Sequence, residues 1–586
     1  MNEFQVSGAN SAALFTLKLN RGDGMCLLAM NWKKGKPPKE FVGFAIEYKE
    51  PGGDRFFALK NRLAFPGAGG EVDDAKQSTL LSPIQMFRWV HFPRNAELAG
   101  AFTYKVTPAF MNDKDELSYG EPQTAKIELR RETHPGKLNV AFTRGFVSSQ
   151  AFVDKYVAEG QKPQDAVKTL LPAKADDGLG FIATHPKAKE ALDWMGFEAR
   201  SAILEVLDEA IADKTAEVRA VVYDLNEPGV VSRFEKLGKR LRIIIDDDGA
   251  HGKKKSAETA AAARLAKTAA LVKRQHLGKL QHNKTIVVDG KKVQACVCGS
   301  TNHSWRGFFV QNNNAIILRG PQAVKIFMDA YDHYEANDTV AGFGRTGSAV
   351  WNDLKLQGIK AQVGFSPRSK QNAVLAAIAK DIEGTTSSLF FSLAFLYQTP
   401  GPIRDAVKKV QKDGTVFSYG ISDHAVDGLS KDGEPKGSKR LGVKLQKPDG
   451  KVTLVHPQEL TKNAPQPFKG EPTGGGGTRM HHKFIVIDFD KPTARVYMGS
   501  YNFSSAADVS NGENLLMIRD RRVAVSYVVE AVRIFDHYHF RVAQADAKKA
   551  KKKLQLAKPP RKAGERAWWA EDYTNPRKIL DRELFA

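Results

Sequence analysis

At 586 residues the chain exceeds one ordinary domain, and a prior of roughly 100–200 residues per domain predicts about three to five units. Its 42% hydrophobic, 26% charged and 9% aromatic residues exclude a disordered or fibrous protein. With 88 Lys and Arg against 66 Asp and Glu, a net charge of +22 and a pI near 9.6, the composition favours an anionic partner, either nucleic acid or anionic phospholipid.

Residues 1–134 read as short strands between turns: Phe15–Leu19, Met25–Trp32, Phe41–Tyr48, Met86–Phe92, Phe102–Val106 and Thr124–Leu129. This spacing predicts an all-β sandwich, and the segment Tyr104–Thr107 with the early Trp32 resembles a fibronectin III or immunoglobulin-like module, an accessory domain without chemistry of its own. The opening residues carry no basic segment followed by an apolar run, and no stretch of about 18 apolar residues occurs anywhere, so a cytoplasmic protein without a membrane span is expected. Nothing in the sequence indicates a protein partner.

From about residue 138 strands alternate with amphipathic helices, the pattern of α/β architecture, and the pattern repeats. The first copy has apolar Ile203, Leu204, Val206, Leu207 and Ile211, a strand Val218–Leu225, a helix around Phe234 and a strand Leu241–Ile245. The second has Val374, Leu375, Ile378 and Ile382, then Leu389–Leu396, a helix through Val407 and Val410, and Thr415–Tyr419. We read two lobes, 135–344 and 345–545, and a basic, aromatic tail, 546–586, whose Trp568, Trp569 and Tyr573 are expected to pack against the lobes. The Ala-rich stretch Ser256–Lys279 is expected to be helical, and its counterpart, ending in Gly474–Gly477, to be a loop.

Each copy then carries an H-x-K-x-x-x-x-D motif: His282, Lys284 and Asp289 in the first, His481, Lys483 and Asp488 in the second. Each motif is followed by Gly-Ser-x-Asn, with Ser300 and Asn302 in one copy and Ser500 and Asn502 in the other. His and Lys two apart on a strand project from one face, so each lobe presents an imidazole beside an ammonium. A phosphodiester repels nucleophiles by its charge. Two Lys with Ser and Asn side chains can bind its oxygens while one His attacks phosphorus and the other protonates the leaving oxygen, and this division of labour requires no metal ion or cofactor. Cys296 and Cys298, two apart in a strand, are read with Cys26 as packing residues rather than metal ligands.

With both motifs in matching repeats, residues 138–545 closely resemble the phospholipase D superfamily. The resemblance implies duplicated α/β/α lobes with one active site between them, phosphodiester hydrolysis and a phosphohistidine intermediate. Gly499–Ala506 followed by Asn511-Gly-Glu-Asn514 is most similar to the small bacterial endonucleases of that superfamily, which implies nucleic acid as substrate. Phospholipase D or phosphatidyl transfer on phospholipid is the rival reading. In the family an acidic residue hydrogen-bonds the catalytic imidazole, and Glu513 stands at that position, 14 residues after Gly499. The residue 14 after Gly299 is Asn313. Taken lobe by lobe, this pairs His481 with Glu513 as the general acid, and leaves His282, facing Asn313, as the nucleophile.

Overall fold

The computed structural model describes residues 4–67, 77–93, 95–129, 132–145, 152, 155–158, 160–370, 372–396, 399–413, 415–422, 443–446, 452–455 and 480–586. The Gly-rich segment expected as a loop before His481 lies outside them, apart from two short strands. The chain divides into two compact units, one of residues Met1–Arg131 with Val525–Ala586, the other Glu132–Ala524.

In the first unit, alternation produces the strands: along Phe15–Arg21, Phe15, Leu17 and Leu19 are buried while Thr16 is exposed. An antiparallel sheet runs in the order Gln5–Ser7, Phe15–Arg21, Cys26–Trp32, Arg88–His91. A second sheet is built on the antiparallel partners Phe41–Lys49 and Ala101–Met111, the latter also pairing with Gln123–Glu128. The two share one core, in which Phe15, Leu28 and Met30 meet Phe44, Ile46, Phe102 and Val106. The C-terminal segment belongs to this same core. Trp569 is buried in it, and the Trp568 ring stacks on Phe87 at 5.3 Å while its Nε1 donates to the Phe41 carbonyl at 3.1 Å. The tail expected to pack against the lobes thus packs against the β domain, because its aromatics meet an apolar surface already rich in rings.

The second unit holds two sheets of matching order. The first runs Leu138–Phe142, Asn314–Arg319, Gln294–Gly299, Lys284–Asp289, Glu217–Val222, Leu241–Ile245, Leu271–Arg274. The second repeats it as Lys360–Ser366, Glu513–Arg519, Arg495–Gly499, Lys483–Ile487, Ser388–Leu393, Phe417–Ser422, Val443–Gln446, and adds Asn352–Asp353 at one edge and Val452–Val455 at the other. The helices follow their apolar spacing. Val230, Phe234 and Leu237 of Pro228–Leu237 are buried, as are Ile403, Val407 and Val410 of Pro402–Lys412, and each helix starts with a proline whose missing N–H costs nothing there. The stretch Ser256–Lys279 is only partly helical: Ala257–Leu265 forms a helix capped by Ser256, and Leu271–Arg274 extends the sheet in parallel with Leu241–Ile245. Cys26, Cys296 and Cys298 are buried free thiols. No helix among the described residues is long and apolar enough to cross a membrane.

Candidate active site

Each lobe places its lysine on the first residue of the central strand, Lys284–Asp289 or Lys483–Ile487, with the histidine two residues before it. Lys284 faces Val222 in the ladder and Lys483 faces Leu393, so the chain just beyond each of those neighbouring strands runs past the histidine. An aromatic ring stands there in both lobes. Tyr223 lies 4.7 Å from the His282 ring centre and from Lys284 Nζ, while Phe395 lies 6.4 Å from His481 and 5.7 Å from Lys483 Nζ. Each ammonium also donates to the carbonyl of its own histidine, Lys284 at 2.5 Å and Lys483 at 2.8 Å, leaving its other two N–H bonds for a ligand.

The two lobes then meet reciprocally. Gln281 forms a parallel β-bridge with Gly512, and Met480 with Asn312. A Cβ at Gly512 would lie 2.0 Å from the Gln281 amide oxygen, so glycine lets that amide stay where it is. These bridges place the residue after each one beside the other lobe's motif. Glu513 Oε2 bonds His282 Nδ1 at 2.8 Å, and Asn313 Oδ1 bonds His481 Nδ1 at 2.8 Å. The within-lobe pairing expected from the sequence is therefore wrong: the carboxylate serves the first histidine and the amide the second. The two imidazole centres are 6.5 Å apart, their planes inclined by 72°.

All six groups are buried: His282 and His481 are 4% and 5% exposed, Lys284 and Lys483 1% each, Glu513 and Asn313 0%. Burial lowers the His282 pKa below 6.5, with Lys284 and Lys483 adding to the shift and Glu513 opposing it. His481 goes well below, through burial and then Lys483, Lys284, His282 and Arg306. Burial brings Lys284 down to about 8, and burial with the neighbouring Lys284 drives Lys483 far below its usual range. Burying an ion costs several kcal/mol unless it is paired, so this cluster of positive groups around one carboxylate favours an anion.

The serines of the Gly-Ser-x-Asn segments hold structure. Ser300 Oγ bonds the Asn313 and Asn314 side chains at 3.0 and 2.9 Å and accepts from the Asn314 N–H at 3.0 Å; Ser500 Oγ accepts from the Asn514 N–H at 3.0 Å and its side chain at 3.2 Å. The preceding Gly299 has φ 124°, and a Cβ there would lie 2.5 Å from the Asn314 carbonyl oxygen. Asn302 Nδ2 is tied to Asp224 Oδ2 at 2.7 Å, whereas the Oδ1 atoms of Asn302 and Asn502 are buried without a partner.

Asp289 and Asp488 do not take part. Each lies five residues past its lysine, about 17 Å along a strand rising roughly 3.3 Å per residue. Asp289 is exposed and bonds Gln294. Asp488 is buried, with φ 52°, and its carboxylate accepts from the N–H groups of Thr386, Ser387 and Ser388 at 2.8–3.3 Å, pinning the entry to the neighbouring strand.

No motif signalled a further cluster in the first lobe. His251 bonds Asp246 through Nδ1 at 2.8 Å and Asp224 through Nε2 at 3.0 Å. Asp224, His251 and Glu258 offer atoms within 4.8 Å of one another, the His–carboxylate group among the described residues best spaced to share a cation.

A duplicated α/β fold with one composite His–Lys site defines the class. Residues 209–334 and 450–535, which include both motifs, match the family model described as "Cardiolipin synthase, PLD-like domain", so this region of the chain is similar to proteins of the phospholipase D superfamily. It is 48% identical over 48 residues to a phospholipase D of Rickettsia felis, 8% of this chain and 22% of that protein. It is 28% identical over 126 residues to a phospholipase D of Rickettsia bellii, 22% of this chain and 58% of that protein, so it spans less than two thirds of either relative. Among solved structures, Nuc from Salmonella typhimurium aligns at 24% identity and a TM-score of 0.19, over 22% of this chain and 84% of that one.

Proposed function

We propose that the chain is a phosphodiesterase that works through a phosphohistidine on His282 and needs no metal ion, with nucleic acid as its substrate. One observation carries the reading: with both Nδ1 atoms taken, by Glu513 and Asn313, each imidazole keeps only Nε2 for chemistry. Nε2 of His282 attacks phosphorus and the bond to the leaving oxygen breaks; that oxygen takes the proton from Nε2 of His481, which the negative charge of the bound phosphodiester holds in its protonated form. Attack places positive charge on the His282 ring, where the Glu513 carboxylate stabilises it. Neutral His481 then takes a proton from water, whose oxygen displaces the imidazole and regenerates His282. Lys284 and Lys483 hold the non-bridging oxygens, assisted by Asn502.

The net charge of +22 and the endonuclease-like run from Gly499 to Asn514 favour nucleic acid. Phospholipid is the second reading, favoured by the cardiolipin synthase description of the matched model and the phospholipase D names of the matched relatives. The N-terminal β domain is read as a fibronectin III or immunoglobulin-like accessory module. The test offers purified protein in EDTA plasmid DNA, single-stranded DNA, RNA, and phosphatidylcholine or phosphatidylglycerol vesicles. Cleavage of a nucleic acid is expected; headgroup release alone would replace the nuclease by the lipid enzyme, and activity only on addition of Mg²⁺ or Zn²⁺ would overturn the metal-free mechanism.

A further inference from the structure

We infer that His251 is a positioning residue, which holds together the two backbone segments that present His282 and Asn302 by bridging Asp246 and Asp224. The kinetic consequence rests on the phosphodiesterase reading; the bridge itself is a property of the resting protein.

Asp246 directly follows the strand Leu241–Ile245. Its Oδ1 accepts from the Gln281 N–H at 2.6 Å, one residue before His282, and its Oδ2 bonds His251 Nδ1. Asp224 lies two residues past the strand Glu217–Val222. Its Oδ2 fixes Asn302, and its Oδ1 bonds His251 Nε2. Both carboxylates thus turn one oxygen to the site and the other to the same imidazole. Only the imidazolium donates at both nitrogens, so His251 carries its charge here. Burial opposes that charge, but the bonds to Asp224 and Asp246 outweigh it and push the His251 pKa up to about 11.

Other neighbours support this assignment. Glu258, from the helix Ala257–Leu265, is buried nearby, and burial raises its pKa to about 7. Arg274 donates to the Asp246 and His251 carbonyls at 2.8 Å each, and Lys284 and Arg306 act on Asp224 from the site side. The Tyr223 ring is 4.5 Å from His251 and 4.7 Å from His282, so packing as well as hydrogen bonding reaches the catalytic imidazole. Without a cation at position 251, Asp224, Asp246 and Glu258 would repel one another and release both segments. Among the described residues the brace occurs in the first lobe: two residues past the strand partner of Lys483 stands Phe395, where the first lobe has Asp224. It therefore supports the same histidine that Glu513 holds.

The test compares wild type with His251→Ala, or His251→Gln where the alanine variant does not fold, on bis(p-nitrophenyl) phosphate. Misplacing a reacting group by about 1 Å costs up to roughly 100-fold, so kcat should fall about 10- to 100-fold with KM within about twofold. Free imidazole, entering the vacated and partly exposed position, should restore much of the loss in His251→Ala, which general destabilisation would not permit. Histidine ¹⁵N NMR of the resting protein should show both His251 nitrogens protonated near neutral pH, and the variant should shift the His282 signals. Unchanged kcat, a loss that imidazole does not relieve with His282 signals unmoved, or stoichiometric Zn²⁺ binding abolished by the variant would each overturn the inference. If wild type cleaves no phosphodiester, the functional reading fails, and the NMR signals decide the bridge alone.

Discussion

Glu513, from the second lobe, bonds Nδ1 of His282, from the first, at 2.8 Å. The carboxylate partly offsets the lowering of the His282 pKa by burial and by the two lysines. His282 attacks only when neutral, so the acidic limb of kcat/KM reports its protonation. Replacing Glu513 by Gln removes the opposing charge. The His282 pKa then falls further, and the acidic limb should move to lower pH. The same change removes a charged hydrogen bond from the developing phosphoimidazolium, about 1.5–3 kcal/mol, so the plateau should drop roughly 10- to 100-fold. A pH–rate profile of the variant checks both; movement of the alkaline limb instead would make His282 the general acid.

Much of this was legible in the sequence, because chemistry and periodicity are local. The paired motifs, the repeated strands and the replacement of a second carboxylate by Asn313 could all be read from the residues. Which histidine meets Glu513 could not, since that depends on the Gln281–Gly512 and Asn312–Met480 bridges between lobes. His251, Asp224 and Asp246 converge from two loops and share no motif. Asp289 and Asp488 show the opposite failure: a conspicuous spacing whose last residue lies too far along the strand to reach the site.

That distance makes a prediction about the motif aspartates. Asp488→Ala removes the acceptor shared by the N–H groups of Thr386, Ser387 and Ser388, and the buried one, on Ser388, alone costs about 1–3 kcal/mol when left unpaired. Thermal unfolding should show a clear loss of stability, while kcat of the protein that remains folded stays near wild type. Asp289→Ala, at an exposed position, should change stability by no more than about 0.5 kcal/mol. A large fall in kcat for either variant, with stability unchanged, would restore the aspartates to the reaction.

The lysines predict a proton balance. Burial and mutual repulsion hold Lys483 and both histidines less protonated than in water, and an oxyanion reverses this by favouring every positive group around it. Vanadate or tungstate binding near neutral pH should therefore take up protons from buffer, seen as a binding enthalpy that varies with the ionisation enthalpy of the buffer. Lys483→Met should reduce the uptake, and kcat/KM should fall roughly 100- to 1000-fold, the effect of removing one donor aimed at transition-state charge. Binding without proton uptake would mean that the site is already charged when empty.

The two histidines can be separated by trapping. A p-nitrophenyl ester needs little help from an acid, because its leaving group departs as a stable anion. With His481→Ala, attack by His282 should therefore proceed while the second step, which lacks a base to activate water, stalls. A burst of p-nitrophenol should accompany accumulation of a phosphoryl adduct, preserved by alkaline denaturation since phosphohistidine is labile in acid. Peptide mapping should place it on His282. His282→Ala should give neither burst nor adduct, and the double variant should match it. Glu513→Gln in the His481→Ala background should slow formation of the adduct, because the carboxylate stabilises charge on the ring that attacks. An adduct on His481 in the His282→Ala protein, with none on His282 in the reciprocal variant, would exchange the two roles and assign Glu513 to the proton donor.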